Sequence, residues 1–132
     1  MIDYRISPAV TNDALNALMA ESWPGRNPQD FQPVLERSIA YVCAYESVRL
    51  IGFVNLAWDG GVHAFLLDTV VHPDLRRRGV GVELVLRAVE AVRGRGLEWI
   101  HVDSSSDLAS FYARCGFVTA AYAGLIGVDR RR

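Results

Sequence analysis

Between residues 62 and 103 the hydrophobic pattern changes period twice, and this double change restricts the kind of sheet the chain can build. Val62 to Val71 reads as a strand, and its run Ala64-Phe65-Leu66-Leu67 is apolar on both faces, as in a strand covered from both sides. From Val82 to Arg93 the polar residues Glu83, Arg87, Glu90 and Arg93 fall on one stripe. The rest of that segment is apolar, which predicts a helix with a broad buried face, ended by Gly94. Leu97 to Asp103 reads as a strand again. Strand, helix and strand in this order imply a right-handed crossover between parallel strands.

The segment upstream has a different character. Residues 2–7 predict a first strand. Thr11 is placed to cap a helix over 12–22, in which Leu15, Leu18, Met19 and Ser22 follow helical spacing and which Pro24 stops. Pro24 to Pro33 reads as a loop, and Asp30 is placed to cap a short helix over 31–37. Ile39 to Glu46 and Leu50 to Trp58 are rich in β-branched and aromatic residues, and Asp59-Gly60-Gly61 is a hairpin signal leading into Val62. These three strands form an antiparallel meander. Downstream, Ser105 or Ser106 can cap a last helix over 107–114, closed by a left-handed Gly116. One or two short strands are expected over 117–128, with a frayed tail at Arg130-Arg131-Arg132. The expected fold is α/β (mixed α+β): an antiparallel meander followed by a β-α-β parallel unit, in a central mixed sheet flanked by helices.

The chain has 132 residues and shows no repeat, low-complexity tract or dividing linker, so a single domain over 1–132 is expected. A formal net charge of -1 gives no general field toward nucleic acid or an anionic membrane, so neither is an expected partner. Cys43 and Cys115 are far apart, form no C-x-x-C pair and have no histidine at metal-ligand spacing. They read as buried thiols of a reducing compartment, and no metal is expected. Met1-Ile2-Asp3-Tyr4-Arg5 lacks the apolar core of a signal peptide, and no apolar run reaches the roughly 20 residues that span a bilayer. A soluble, cytoplasmic protein is expected.

The segment between the buried strand and the helix, His72-Pro73-Asp74-Leu75-Arg76-Arg77-Arg78-Gly79-Val80-Gly81, carries the strongest chemical signal. Gly79 and Gly81 let the backbone approach a ligand closely. The free N–H groups of the new helix point into that space, and its dipole and three arginines add positive charge. An anion belongs here, and a pyrophosphate fits the size of the cradle. The competing reading is a solvated turn with surface arginines. Two nucleotide fingerprints fail on detail. Leu84 stands where a dinucleotide-binding loop needs Gly or Ala, and no Gly-Lys-Ser/Thr tripeptide is present. A second segment, Phe111-Tyr112-Ala113-Arg114-Cys115-Gly116-Phe117, follows on the last predicted helix.

In this order and at this separation, the two segments resemble those of the GNAT superfamily of N-acetyltransferases. The likeness is sharp over residues 66–117, and the element order agrees from the first strand on. The resemblance implies that acetyl-CoA is the cosubstrate, with its pyrophosphate gripped by Arg76, Gly79 and Gly81. Arg77, Arg78 and Val80 then supply further backbone donors. Val70 and Val71 match the strand end that pairs with the pantetheine arm and turns an N–H toward the thioester oxygen. Tyr112 matches the residue that lies beside the sulfur and protonates the departing thiolate. Ser105, also on the cofactor side, stands where the family often has asparagine, and Leu108 where it often has alanine. The implied function is transfer of an acetyl group from acetyl-CoA to a primary amine of a small molecule by direct attack. The alternatives are a non-catalytic CoA-binding module and a protein N-acetyltransferase.

That chemistry needs a neutral amine, a donor for the oxyanion and a proton for sulfur. A phenol keeps its proton at neutral pH, which suits Tyr112, whose competing role is helix packing. Asp68 interrupts an otherwise apolar strand. A lone carboxylate there is costly unless it is paired or put to use, so it is either a bonded structural acid or a functional one, and the resemblance implies that it takes the amine proton through water. His63 and His72, at the ends of the same strand, read first as surface residues, Cys115 as a small apolar residue, and Trp23, Trp58 and Asp59 as packing or acceptor-pocket residues. The short segment after Phe117 leaves a sheet edge to cover, and a homodimer is the expected assembly.

Overall fold

The computed structural model describes residues 1–118. The strands are β1 (Ile2–Ile6), β2 (Ser38–Glu46), β3 (Arg49–Trp58), β4 (His63–Val71) and β5 (Trp99–Val102), and the helices are α1 (Asn12–Ser22), α2 (Gln32–Glu36), α3 (Val80–Ala91) and α4 (Ala109–Arg114). The sheet runs in the order β1-β2-β3-β4-β5. Its first three pairings are antiparallel, and β4 with β5 is parallel, as the two changes of period require. The strands expected over 117–128 and the arginine tail fall largely or wholly outside the described residues.

Two apolar layers hold the sheet. On one face Leu84, Val85 and Ala88 of α3 pack with Val42, Val54, Leu56, Ala64 and Leu66. On the other, Leu15, Leu18 and Met19 of α1, together with Phe31, pack with Cys43, Phe53 and Val70. Thr11 caps α1 by accepting the Ala14 N–H at 3.1 Å. The polar stripe of α3 closes on itself through Arg87–Glu83 at 2.8 Å and Arg93–Glu90 at 2.6 Å. Arg87 also lies 4.6 Å above the Tyr4 ring, which ties the helix to β1.

Three local expectations shift. Helix α3 begins at Val80 rather than Val82, because Gly79 in the left-handed region (φ +78°) ends the loop two residues earlier. Phe31, not Asp30, occupies the N-cap of α2, although Asp30 still accepts the Gln32 N–H at 3.1 Å. The last helix is split into a 3₁₀ turn, Ser106–Leu108, and α4. Ser105 stands at the head of that turn without a side-chain cap bond. The end of α4 is a complete left-handed closure: Gly116 has φ +99°, its N–H donates to Ala113 O at 3.0 Å, and the Phe117 N–H donates to Tyr112 O at 3.1 Å.

The feature that shapes the site is a bulge. Phe53 pairs with Val70 and Asn55 with Leu67, so Val54 alone faces both Asp68 and Thr69. The extra residue reverses the strand's parity. Ala64 and Leu66 face α3, whereas Val70, an even number of residues further on, joins the core beneath α1. Pairing between β4 and β5 runs only from His63–Trp99 to Leu66–Val102. Beyond Leu66 the two strands part.

Gly52, opposite the end of β4, lets α3 sit close to the sheet. A Cβ there would lie 3.0 Å from Leu84 Cδ1 and 3.2 Å from Ala44 Cβ, both fully buried. Gly52→Val is therefore expected to lower stability by about 1–3 kcal/mol through overpacking, read as a reduced midpoint in thermal or urea unfolding.

Candidate active site

The parting of β4 from β5 opens a cleft of about 800 Å³. One wall is the end of β4. The His72 N–H donates to Ile51 O on β3 at 2.8 Å, so the N–H and C=O of Val71, one residue earlier, turn the other way, into the cleft. Its carbonyl accepts Arg76 Nε at 3.2 Å, and its N–H is left for a ligand. Thr69, Val70 and Val71 all line this wall.

The floor is the loop and the start of α3. Arg76, Arg77, Gly79, Val80 and Gly81 line it. No side chain caps α3, so the N–H groups of its first turn keep their hydrogen-bonding capacity for whatever enters. Arg77 is itself held at φ +66°, an uncommon conformation for a residue with a side chain. With Gly79 it curls the backbone donors toward the cleft. Free donors, a helix dipole and guanidinium groups together fit a pyrophosphate.

The opposite wall is α4. Tyr112 is fixed by edge-on contacts with Phe111 (4.9 Å between centroids) and Phe117 (5.8 Å). It lines the cleft, and among the described residues its hydroxyl has no hydrogen-bond partner. Phe111 sets how close this wall comes, since a Cβ on Gly81 would lie 3.0 Å from its Cε1. Close approach of α3 and α4 thus gives Gly81 a packing reason to lack a side chain.

The sequence-derived set divides here. Val70, Val71, Arg76, Arg77, Gly79, Val80, Gly81 and Tyr112 line the cleft, whereas Arg78, Ser105 and Asp68 do not. Asp68 stands on the bulge next to Thr69, with φ +57°. Its carboxylate has no hydrogen bond among the described residues. Burial pushes the Asp68 carboxyl above its ordinary range, and the nearby charge of Arg26 opposes that rise.

His72 is not the surface residue its position promised; it is 3% exposed. Its Nδ1 accepts the Asp74 N–H at 3.1 Å, and its Nε2 meets both the Glu21 carboxylate at the end of α1 and Arg49 Nη2, the latter at 2.7 Å. His63 pairs with His101 at 2.7 Å, away from the cleft. Trp58 and Asp59 border a separate hollow with Arg37 and Arg95, whereas Trp23 does line the cleft. Burial raises the Cys115 thiol, which disfavours the thiolate a covalent route would need. The sequence reading missed Thr69, Phe111 and Arg114. Phe111 and Arg114 stood inside a quoted motif but had no chemistry of their own to mark them. Among the described residues no three His, Cys, Asp or Glu side chains gather as a metal site, and no helix is long and apolar enough to cross a membrane.

The mixed sheet, its parted parallel pair and the uncapped helix beneath define a fold class shared with known proteins. A GNAT family acetyltransferase of Streptococcus pneumoniae superposes with a TM-score of 0.80, covering 99% of this chain and 100% of that one at 21% identity. An aminoglycoside N-acetyltransferase solved with CoA has a TM-score of 0.74 at 18% identity, covering 98% and 96% of the two chains. Both agree with this chain in fold. In sequence, an uncharacterized N-acetyltransferase of Porphyra purpurea is 32% identical over 72 residues, a match spanning 54% of this chain and 41% of that protein. Residues 11–117 match the Acetyltransferase (GNAT) family, and the chain belongs to it.

The bulge carboxylate makes stability depend on pH in a specific sense. A carboxyl whose folded pKa is raised favours the folded state below its unfolded pKa, and that contribution is lost as pH rises through the folded value. Asp68→Asn removes the ionisation and keeps a residue that tolerates positive φ. The variant is expected to melt above the wild type at pH 7, and the difference should vanish as pH falls below the ordinary carboxylate range. Melting temperatures of both proteins between pH 3.5 and 8 check this. A variant less stable at pH 7 would show that the carboxylate is bonded after all.

Proposed function

We propose that this chain is an acetyl-CoA-dependent N-acetyltransferase that transfers the acetyl group to a primary amine of a small molecule by direct attack. The observation that carries this reading is the parting of β4 from β5 above an uncapped, arginine-flanked α3 N-terminus. The gap leaves strand-edge donors for an extended amide-bearing arm, and the loop leaves anion donors for a pyrophosphate at the end of it. The structural neighbour solved with CoA supports this use of the fold, and its aminoglycoside acceptor supports a small amine over a protein N-terminus.

Acetyl-CoA, when bound, supplies an activated acyl carbon and a thiol leaving group. Residues 76–81 hold the pyrophosphate through backbone N–H groups and arginine side chains. The Val71 N–H, with Val70 beside it, aligns the arm and faces the acyl oxygen, where a preorganised donor is worth a few kcal/mol, roughly 3–4 at most. The Tyr112 hydroxyl, without a hydrogen-bond partner among the described residues and held by two rings, delivers a proton to the leaving sulfur. Asp68 takes the proton of the amine through water. Its raised affinity for protons makes it a better base than an exposed carboxylate, and its place outside the cleft lining requires the water.

A screen for thiol release from acetyl-CoA across a panel of amines tests the reading directly. Acetyl-CoA should also raise the melting temperature at concentrations above its Kd. Gly81→Asp should abolish that shift, since it adds a carboxylate at the pyrophosphate loop. Tyr112→Phe should keep acetyl-CoA affinity within about 2-fold and lower kcat by roughly 10²-fold or more. Undiminished turnover in that variant would remove Tyr112 from the chemistry and leave the cofactor assignment standing.

A further inference from the structure

We infer that His72 is a positioning residue for acetyl-CoA: it caps the turn that leads into the anion loop, and it takes its own place from Glu21 on α1. This rests on the acetyl-CoA reading above and deepens it, giving the loop a support outside its own segment. The first observation is burial. Among the described residues only Asn55 and His72 are polar and buried, and an imidazole is costly to bury unless its nitrogens are bonded. Both nitrogens are engaged. Nδ1 accepts the Asp74 N–H at 3.1 Å, and Nε2 meets the Glu21 carboxylate and Arg49 Nη2. The backbone of the same residue is used as well. Its N–H donates to Ile51 O at 2.8 Å, and its C=O accepts the Leu75 N–H at 2.9 Å. One residue thus joins β3, the end of α1 and the turn after β4.

The second observation is where that turn leads. His72 is the N-cap of the 3₁₀ turn Pro73–Leu75. The turn sets Leu75 in the core, and the chain returns to the core at Val80, where α3 begins. Residues 76–79 therefore span the gap between two apolar anchors, and Arg76, Arg77 and Gly79 of that span line the cleft. The Arg76 Nε bond to Val71 O ties the span to β4. The direction in which it leaves β4 is set by the turn, and the turn is fixed by its cap.

The third observation is the partner. Glu21 lies in the last turn of α1, and its side chain is half exposed, so its contact with the ring is not core packing. Helix α1 is itself held on the sheet by the buried Leu15, Leu18 and Met19. Its last turn therefore gives the imidazole a fixed point that does not belong to β4 or to the loop. Backbone donors that must meet an anion lose much of their value when displaced by a fraction of an ångström, which is why such a loop needs support from its surroundings. The alternative role for His72 and Glu21 is stability alone. In that case acetyl-CoA affinity would follow melting temperature, whichever residue of α1 is changed.

Acetyl-CoA affinity by calorimetry, steady-state kinetics and melting temperature, compared for wild type, Glu21→Ala, Glu21→Gln, His72→Asn and Thr11→Ala, separate these roles. Thr11→Ala is the stability control, since it removes the cap at the other end of the same helix. Glu21→Ala should weaken acetyl-CoA binding by about 3- to 10-fold, the effect of one net hydrogen bond, and leave kcat at saturating acetyl-CoA within about 2-fold. Glu21→Gln keeps a group that can bond Nε2 and should recover most of that loss. His72→Asn places Oδ1 where Nδ1 stood, so it keeps the Asp74 bond, drops the Glu21 contact and should weaken binding as Glu21→Ala does. Thr11→Ala should lower the melting temperature and leave the affinity unchanged. Exchange of the Asp74 amide proton, followed by NMR without ligand, should quicken in Glu21→Ala. Affinity that tracks melting temperature across the set, Thr11→Ala included, would overturn the assignment. So would unchanged affinity in Glu21→Ala, or unchanged Asp74 exchange. Failure of the wild type to bind acetyl-CoA would instead overturn the acetyl-CoA reading itself, and the Asp74 exchange would still decide whether Glu21 acts on the turn through His72.

Discussion

A parallel strand pair that stops after four residues leaves backbone donors and acceptors without partners, and the cleft is organised around that deficit. β4 is held along its whole length by β3 on one side, but β5 accompanies it on the other only as far as Leu66. The bulge at Asp68 and Thr69 is the cause. Two residues opposite Val54 bend the strand, carry its end away from β5 and rotate Val70 into the core beneath α1. Once Val70 is buried there and His72 is bonded to Ile51, the peptide group of Val71 points outward into the gap. Buried polar backbone is costly to leave unpaired, so such a gap suits a ligand that carries amides of its own.

The same economy governs the floor. A helix that began with Ser, Thr or Asp at its N-cap would satisfy its own first N–H groups. Here the N-cap is Gly79, which has no side chain to offer, and its left-handed conformation is what turns the loop into the helix. Stability that a capping side chain would contribute, roughly 1 kcal/mol, is forgone. Arg77 adds backbone strain of a similar order. Both features work against the isolated fold, and an anion at the first turn would satisfy the N–H groups that the missing cap leaves open.

The parts of this arrangement that rest on local rules could be read from the chain itself. The periods of 62–103 fix the crossover, the Thr11 cap fixes the start of α1, and the glycines at 79 and 81 fix where the helix can meet a ligand. Asp68 was visible as a break in an apolar strand, but a break has no sign. The same polar residue marks a bulge, a paired core acid or a catalytic group, and only the register of Phe53 and Asn55 against Val70 and Leu67 decides. His72 was misread for a related reason. Its partner Glu21 lies 51 residues away on α1, a separation over which no spacing rule operates. Arg114 escaped because a guanidinium on a helix end is ordinary until the neighbouring wall is known.

His72 also shows how the two halves of the site are held at a fixed spacing. Its ring is buried where β4 gives way to the loop before α3, with one nitrogen accepting from Asp74 in the turn and the other bonded to Glu21. Arg49, at the start of β3, stands 3.6 Å from the same carboxylate. Glu21 lies two residues before Trp23, which lines the cleft from the α1 side. One imidazole therefore joins the turn after β4 to the end of α1. The hydrogen bond from His72 in turn holds the Glu21 carboxyl below its ordinary range. Val70 and Leu75 anchor the chain on either side of His72 in the two hydrophobic layers, and the polar contact between elements far apart in the chain adds to them.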